Sequence, residues 1–169
     1  GVGTPGWAPV DPTPGPDAGD PALRDCLSPI TLVRFAAWRR IEREGLPEPL
    51  TPFICGFAGY GHVFGGANEI IELLPVQEIA PQEVATVARS TDYDPTVVYK
   101  VVFKEEHTVE PISPDDEFEL QDYYDHPEKY RGRFSTYLPH LSVLVNCTYW
   151  EPKYPRLVTK ADLRRLYGG

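Results

Sequence analysis

The chain has few of the features that cross-link proteins, span membranes or neutralise phosphate. Its 169 residues include three cysteines, Cys26, Cys55 and Cys147, without a C-x-x-C pair, so we expect reduced thiols and neither disulfides nor a zinc site. The sequence contains no run of 18 apolar residues and no signal-peptide pattern, so we predict no membrane span. A net charge of −9 argues against nucleic acid or an anionic membrane as the main partner. We therefore expect a reducing compartment, either the cytoplasm or, in a eukaryote, the mitochondrial matrix.

Methionine is absent from the whole sequence, including position 1. Because translation starts with methionine, a chain that begins with glycine is expected to be a fragment or a processed product. Catalytic patterns are missing as well: the four histidines have no H-x-x-x-H spacing, and no serine lies in a nucleophile-elbow pattern. We therefore predict no metal site and nominate no catalytic residue.

Proline and glycine concentrate in residues 1–22, where the only charges are three aspartates. Such a stretch buries too little apolar surface to offset its ordering entropy, so we predict a flexible segment or an extended arm. Residues 23–169 are predicted to form one domain. It opens with a helix that starts at Ser28, a favourable N-cap residue, and ends at Gly45.

Beyond Gly45, strand-like apolar runs alternate with helical patterns. Strands are predicted at residues 53–57, 76–79, 96–103 and 141–146. Helices are predicted at residues 63–74, 81–89, 127–137 and 159–167. This alternation predicts an α/β fold, namely a Rossmann-like parallel sheet with helices on both faces.

The most informative motif is a glycine-rich turn between the first of these strands and the helix that follows it. The dinucleotide fingerprint is G-x-G-x-x-G, and Gly59-Tyr60-Gly61 matches its start, whereas Phe64 stands at the third glycine and Gly65 and Gly66 come late. The Lys and Ser/Thr of a P-loop are absent. Two interpretations stay open: the glycines admit a pyrophosphate, or they make a tight turn and a close helix–strand contact.

Longer stretches carry a resemblance to a known family. They are residues 52–63 with Gly66-Ala67, residues 123–130, and residues 143–159, which include Asn146-Cys147-Thr148-Tyr149-Trp150. Over about residues 45–167 the chain resembles lysine–2-oxoglutarate reductase, the saccharopine-forming half of the bifunctional lysine-degradation enzyme. That family is related to alanine dehydrogenase and transhydrogenase, and its third glycine comes late, as it does here.

The resemblance implies an NAD(P)H-dependent oxidoreductase that condenses lysine with 2-oxoglutarate and reduces the product to saccharopine. The residues implied to bind the cofactor are Gly59, Tyr60, Gly61, His62, Val63, Gly66 and Ala67 at the turn, with Asn146, Thr148 and Tyr149 at the nicotinamide and ribose end. Asn146 has a structural alternative, in which it only caps the strand end.

The cofactor expected from the resemblance is NADP(H) rather than NAD(H). In dinucleotide-binding folds, a carboxylate after the second strand bonds the ribose 2′-hydroxyl, and it would repel a 2′-phosphate. Here Ala80 follows the second predicted strand, at the position where the family tends to have that carboxylate.

Two parts of the family's enzyme have no counterpart in this sequence: the N-terminal substrate domain, which holds the proton-transfer residues, and the last strands of the cofactor domain. We therefore expect an incomplete cofactor domain that is inactive alone. Its expected partners are the cofactor, an amino acid and an oxo acid, the missing substrate domain, and a second copy in a homo-oligomer. A non-catalytic nucleotide-binding module and a protein-interaction domain stay open as alternatives.

Overall fold

The computed structural model describes residues 29–168, with side chains from residue 36 onward. The predictions for residues 1–22, Cys26 and the Ser28 cap lie outside these residues. The first helix, α1, covers Pro29–Glu44 and ends at Gly45, as predicted. By its internal contacts the chain divides into Gly1–Ala36 and Ala37–Gly169, and every later element belongs to the second unit.

A four-stranded parallel sheet forms the centre of the second unit. Its strands are β1 (Ile54–Ala58), β2 (Val76–Glu78), β3 (Val98–Phe103) and β6 (Val143–Asn146). Their order is β2-β3-β1-β6, so β1 pairs with β3 on one side and with β6 on the other. The carboxyl ends of parallel strands meet at one edge of the sheet, which is where ligands of such sheets bind.

Helices cover both faces of this sheet. They are α2 (His62–Ile71), α3 (Val84–Arg89) and α6 (Lys160–Tyr167). On one face, Ile54 and Phe103 belong to an apolar cluster that includes side chains of α3 and α6. On the other face, Cys55 and Phe57 pack with the apolar side of α2. The predicted Rossmann-like architecture is therefore confirmed, and the four predicted strands differ from the observed ones by at most two residues at an end.

One charged side chain lies inside the α2 face of the sheet. Lys100 of β3 is only 5% exposed. Its ammonium group donates a hydrogen bond to the Oδ1 atom of Asn68 (3.1 Å) and pairs with the carboxylates of Glu72 and Glu78. Asn68 belongs to α2, Glu72 follows its last residue, and Glu78 ends β2, so this one lysine joins both elements to β3.

The helix predicted at residues 127–137 is wrong. This segment forms short 3-10 turns at Pro127–Lys129 and Phe134–Thr136, separated by β5 (Tyr130–Gly132). β5 pairs antiparallel with β4 (Val109–Pro111). The buried residues Tyr130 and Phe134 lie four positions apart and imitate a helical period, but Gly132 between them disfavours a helix, and pairing with β4 satisfies the backbone instead.

Two short helices between β3 and β5 are absent from the predictions. α4 (Glu105–Thr108) follows β3, and α5 (Leu120–Asp125) begins where the Glu119 carboxylate accepts hydrogen bonds from backbone N–H groups. Tyr123 of α5 packs against Tyr130 and Tyr154, with ring centroids 5.3 Å apart in both pairs. This aromatic cluster holds α5 against β5 and against the segment that follows β6.

The start of α6 matches its sequence signal. The Thr159 hydroxyl accepts a hydrogen bond from the backbone N–H of Asp162 (3.1 Å), and the Asp162 carboxylate accepts one from the backbone N–H of Thr159 (2.9 Å). This reciprocal capping box satisfies backbone donors that a helix end leaves without partners. None of the helices within residues 29–168 is long and apolar enough to cross a bilayer.

Candidate functional site

Gly59 fixes the turn after β1. Its φ of 96° lies in the left-handed region that side-chain-bearing residues avoid, and an added Cβ would lie 3.0 Å from the carbonyl oxygen of Cys147. The Gly59 N–H donates to the carbonyl of Phe103 (2.9 Å), and the Cys147 N–H donates to the carbonyl of Ala58 (2.8 Å). The turn therefore ties the ends of β1, β3 and β6 together at the carboxyl edge.

The helix that follows the turn starts without a cap. α2 begins after Gly61, no side chain accepts a hydrogen bond from its first N–H groups, and its first turn contains no acidic residue. These N–H groups have no intrahelical partner, and the helix dipole adds positive potential, so the helix end favours an anion. A Cβ on Gly61 would meet nothing within 4 Å, so packing within the protein does not require glycine there.

A cleft of about 860 Å³ opens beside this turn, within the size range of small-molecule sites. Its walls come from the glycine turn, the segments after β3 and β6, and α5. From the predicted cofactor-binding set it is lined by Gly59, Tyr60, Gly61, His62, Val63, Asn146, Thr148 and Tyr149. The turn and the end of β6, which are distant in sequence, thus share one cleft.

Gly66 and Ala67 are the two predicted residues that do not line the cleft. Both lie on α2; Ala67 packs into the cluster beneath the helix, and Gly66 is exposed. A Cβ on Gly65 or Gly66 would meet nothing within 4 Å, so neither makes the close helix–strand contact of the fingerprint's third glycine. The predicted role of Gly66 and Ala67 in cofactor binding stays a prediction.

The β6 end of the cleft is shaped by a polar turn. The Oδ1 atom of Asn146 accepts hydrogen bonds from the N–H (3.0 Å) and the hydroxyl (2.7 Å) of Thr148. Tyr149 is 82% exposed. The Trp150 indole N–H donates to the carbonyl of Tyr154 (3.1 Å), and the Arg156 guanidinium lies 4.3 Å from the Trp150 ring centroid. Asn146 thus has the structural role foreseen as its alternative, in addition to its place in the cleft.

The opposite end of the cleft holds a carboxylate that the sequence did not single out. Glu105 lies two residues beyond β3 and lines the cleft. Its carboxylate accepts a hydrogen bond from the hydroxyl of Tyr124 (2.9 Å). The charge of Glu105, followed by partial burial, raises the pKa of Tyr60 in the glycine turn. Two tyrosines from different elements therefore converge on this one acidic group.

Two tyrosines that line the cleft, Tyr123 and Tyr124, have raised pKa values, which makes them donors rather than bases. Burial, helped by the neighbouring charge of Tyr154, raises the pKa of Tyr123 to about 12. Burial and the hydrogen bond to Glu105 raise the pKa of Tyr124. The two described cysteines, Cys55 and Cys147, are free and buried, and burial raises the pKa of both thiols, which disfavours the nucleophilic thiolate.

The sheet does not place Ala80 beside the cleft, so its predicted link to the ribose stays a prediction. That prediction assumed that the second strand in sequence lies beside β1, but β2 is an outer strand and β3 separates it from β1. Residues after β2 do not line the cleft. The segment that follows β3, which borders β1, begins at Lys104 and includes Glu105, which does line the cleft.

The described part of the chain contains no group of three His, Cys, Asp or Glu side chains placed to hold a metal ion. Of the histidines, His62 lines the cleft at the start of α2. His107 instead accepts a hydrogen bond from the N–H of Lys104 at its ring Nδ1 atom (3.1 Å) and packs its edge against Phe103.

Together, the parallel sheet, the glycine turn and the cleft at the carboxyl edge define a Rossmann-like α/β domain. Known proteins specify the family. The chain is 30% identical over 167 residues to "Alpha-aminoadipic semialdehyde synthase" of Arabidopsis thaliana, with 91% of this chain and 15% of that protein covered. It is 32% identical over 144 residues to the mitochondrial synthase of Mus musculus, with 85% and 15% covered. For the mitochondrial synthase of Bos taurus the identity is 33% over 138 residues, with 81% and 14% covered.

No protein-family model matches the chain. The chain spans about 15% of the length of the curated relatives that it matches. Over that segment it belongs to the alpha-aminoadipic semialdehyde synthase family, the bifunctional lysine-ketoglutarate reductase/saccharopine dehydrogenase enzymes. The resemblance seen in the sequence is therefore confirmed, and the chain is related to a region of an oxidoreductase.

Proposed function

We propose that this chain is the cofactor-binding portion of an NAD(P)H-dependent oxidoreductase that forms saccharopine by reductive condensation of lysine with 2-oxoglutarate. Its relation to the alpha-aminoadipic semialdehyde synthases supports the reaction class. The cleft beside the glycine turn supports the binding role.

The observation that carries the proposal is the open space at Gly61. Glycine there is required neither by a positive φ nor by a neighbouring atom, since an added Cβ would meet nothing within 4 Å. The residue lines the cleft and precedes the uncapped start of α2. A glycine without an internal reason, at a helix end that favours anions, fits a pyrophosphate that approaches the backbone closely.

A bound nicotinamide dinucleotide would supply the hydride of the reduction, which is chemistry that protein side chains cannot provide. Of this chain's own residues, Gly61, His62 and Val63 would hold the pyrophosphate with backbone N–H groups, and Gly59, whose N–H donates to Phe103, would shape the turn that brings them to it. Asn146, Thr148 and Tyr149 would contact the nicotinamide end through amide and hydroxyl groups. Tyr123 would stay protonated as a donor, and Tyr124 would donate its hydroxyl hydrogen to Glu105 and hold that carboxylate in place.

The remaining partners follow from the same proposal. The proton-transfer groups would come from a substrate domain outside these 169 residues, so the isolated chain would bind cofactor without turning over lysine and 2-oxoglutarate. A homo-oligomer and a reducing compartment, the cytoplasm or the mitochondrial matrix, belong to the proposal too. The relatives from Mus musculus and Bos taurus carry "mitochondrial" in their names.

The test is a titration of the full 169-residue chain with NADH and with NADPH, followed by calorimetry. We expect saturable binding of at least one dinucleotide. Gly61→Ala should weaken it more than about tenfold, because a methyl group would occupy the space of the pyrophosphate. The matched control is Gly65→Ala, which adds the same methyl group in equally open space outside the cleft and should leave binding unchanged.

Thermal unfolding of each variant separates lost binding from lost fold. No heat with either dinucleotide, on a folded sample, would rule out the cofactor-binding role. Binding without any activity after an upstream substrate domain has been joined to the chain would favour the alternative of a non-catalytic nucleotide-binding module.

A further inference from the structure

The strand order determines which side chain can meet the adenosine ribose of a dinucleotide. In dinucleotide-binding sheets, the acidic residue that bonds the ribose hydroxyls follows the strand adjacent to the glycine-bearing strand. Here β1 has two neighbours, β3 and β6. Because the segment after β6 is the proposed nicotinamide end, the ribose position falls to β3, whose end is level with that of β1, since Ala58 pairs with Phe103. Glu105 lies two residues beyond Phe103, just as Tyr60 lies two residues beyond Ala58.

The Glu105 carboxylate is held close to the glycine turn by tyrosine side chains. The Tyr124 hydroxyl donates to its Oε1 atom at 2.9 Å, and Tyr60, the residue between the turn's two glycines, interacts with the same carboxylate. A carboxylate offers about four lone-pair positions, so these contacts leave acceptor capacity for the two hydroxyls of a ribose. The group is thus oriented by hydrogen bonding and lies next to the pyrophosphate position proposed above.

A 2′-phosphate would find little positive charge at this end of the cleft. Among the described residues that line the cleft, the only Lys or Arg is Arg156, whose guanidinium lies over the Trp150 ring beyond β6. Lys104 precedes Glu105 but is not a lining residue. A phosphate monoester brings a charge of about −2, which a fixed carboxylate repels.

We propose that Glu105 binds the adenosine ribose and makes this chain prefer NAD(H) to NADP(H). The inference rests on the proposed function, since it requires a dinucleotide in the cleft. It reverses the preference expected from the resemblance, because that expectation placed the selective position at Ala80, after a strand that does not border β1.

The experiment compares the dissociation constants of NADH and NADPH for the full chain and for two variants. The wild-type chain should bind NADH at least about tenfold more tightly, the value of one hydrogen bond to a charged group. Glu105→Gln keeps the shape of the side chain and removes its charge, and should bring the two constants to within about threefold. The matched control Glu106→Gln removes the neighbouring charge of the same short helix, outside the cleft lining, and should preserve the wild-type ratio.

The outcomes separate this inference from the proposed function. Tighter binding of NADPH, or a ratio that Glu105→Gln leaves unchanged, overturns the inference while cofactor binding itself stands. If the wild-type chain prefers NADPH and Lys104→Gln loses that preference, Lys104 binds the 2′-phosphate, and this result overturns the inference as well. No binding of either dinucleotide overturns both proposals together. Should Glu105→Gln fail to fold, Glu105→Asp replaces it: the retained charge should keep NADPH weak, and the shorter side chain should weaken NADH about tenfold.

Discussion

Gly56 of β1 and Gly59, the first glycine of the turn, differ from Gly61 and from the glycines within α2 in what the protein itself requires of them. Gly56 and Gly59 have no room for a side chain: an added Cβ would lie 2.9 Å from a Leu141 methyl group at Gly56 and 3.0 Å from a carbonyl oxygen at Gly59. Gly61, Gly65 and Gly66 face open space. The interpretation that the glycines only serve packing therefore fits Gly56 and Gly59. It does not explain the other three, and of these Gly61 lines the cleft.

The largest effect should come from Gly59→Ala. The alanine would have to adopt a φ of 96° with its methyl group against backbone atoms of Cys147, so we expect a loss of about 3 kcal/mol in the free energy of unfolding. Urea unfolding monitored by tryptophan fluorescence measures it. Gly61→Ala is the control, with an expected change below about 0.5 kcal/mol. Equal losses in the two variants would erase the contrast between constrained and open glycines.

A smaller loss, about 1–2 kcal/mol, is expected for Gly56→Ala. The atoms that its methyl group would meet are the flexible end of Leu141 and the ring of Phe103, which can shift more easily than backbone. A double-mutant cycle with Leu141→Ala checks this explanation. Gly56→Ala should cost less in that background, and an unchanged cost would mean that Leu141 is not the obstacle.

Lys100 of β3 attaches α2 to the sheet where the glycines of α2 make no close contact. Burial opposes the lysine charge, but the hydrogen bonds and charges of Glu72 and Glu78 outweigh it and raise the pKa of Lys100. A pKa raised in the folded state means that this stabilisation is complete below the unfolded value of about 10.4 and declines as pH rises through the folded value.

Lys100→Met should therefore lower stability by about 1–2 kcal/mol at neutral pH. The difference from the wild-type protein should shrink above about pH 10.4, in urea unfolding at several pH values. Lys104→Met, at the exposed residue that follows the same strand, is the control and should change little. A difference between wild type and Lys100→Met that stays constant up to pH 12 would contradict the assignment.

The smallest effect has the opposite sign. Gly65→Ala places a better helix former in open space within α2, so it should stabilise the protein by about 0.5–1 kcal/mol. The midpoint of urea unfolding should rise at an unchanged slope. Destabilisation would show that the helix packs at this residue more tightly than the described contacts indicate.

Local sequence patterns were sufficient for the sheet and for the capped helix. β1 and β3 are buried along nearly their whole length, so their apolar runs predicted strands correctly. The capping pair Thr159 and Asp162 correctly predicted the start of α6. The two-stranded sheet of β4 and β5 could not be predicted from the sequence. Its strands have three residues each, too few for a period, and the spacing of Tyr130 and Phe134 imitated a helix.

The candidate site was only half predictable for a different reason. The glycine turn and the Asn146 segment are contiguous motifs, and both line the cleft. The location of Glu105 in the cleft depends on which strand lies beside β1. The sequence gives the order of the strands along the chain, and this order differs from their order in the sheet. The chain forms the outer strand β2 before the inner strand β3, so the presence of Glu105 in the cleft could not be predicted from sequence order alone.

The outer position of β6 has a consequence for the behaviour of the protein in solution. Among the described residues β6 pairs only with β1, its four residues Val143–Asn146 carry no charge, and Val143 is 40% exposed. Backbone N–H and C=O groups along such an edge can pair with any other extended chain, without side-chain recognition. For the isolated 169-residue chain we therefore expect pairing between copies through this edge at high concentration, and Val143→Lys, a charge of the kind that natural sheets place on exposed edges, should reduce it.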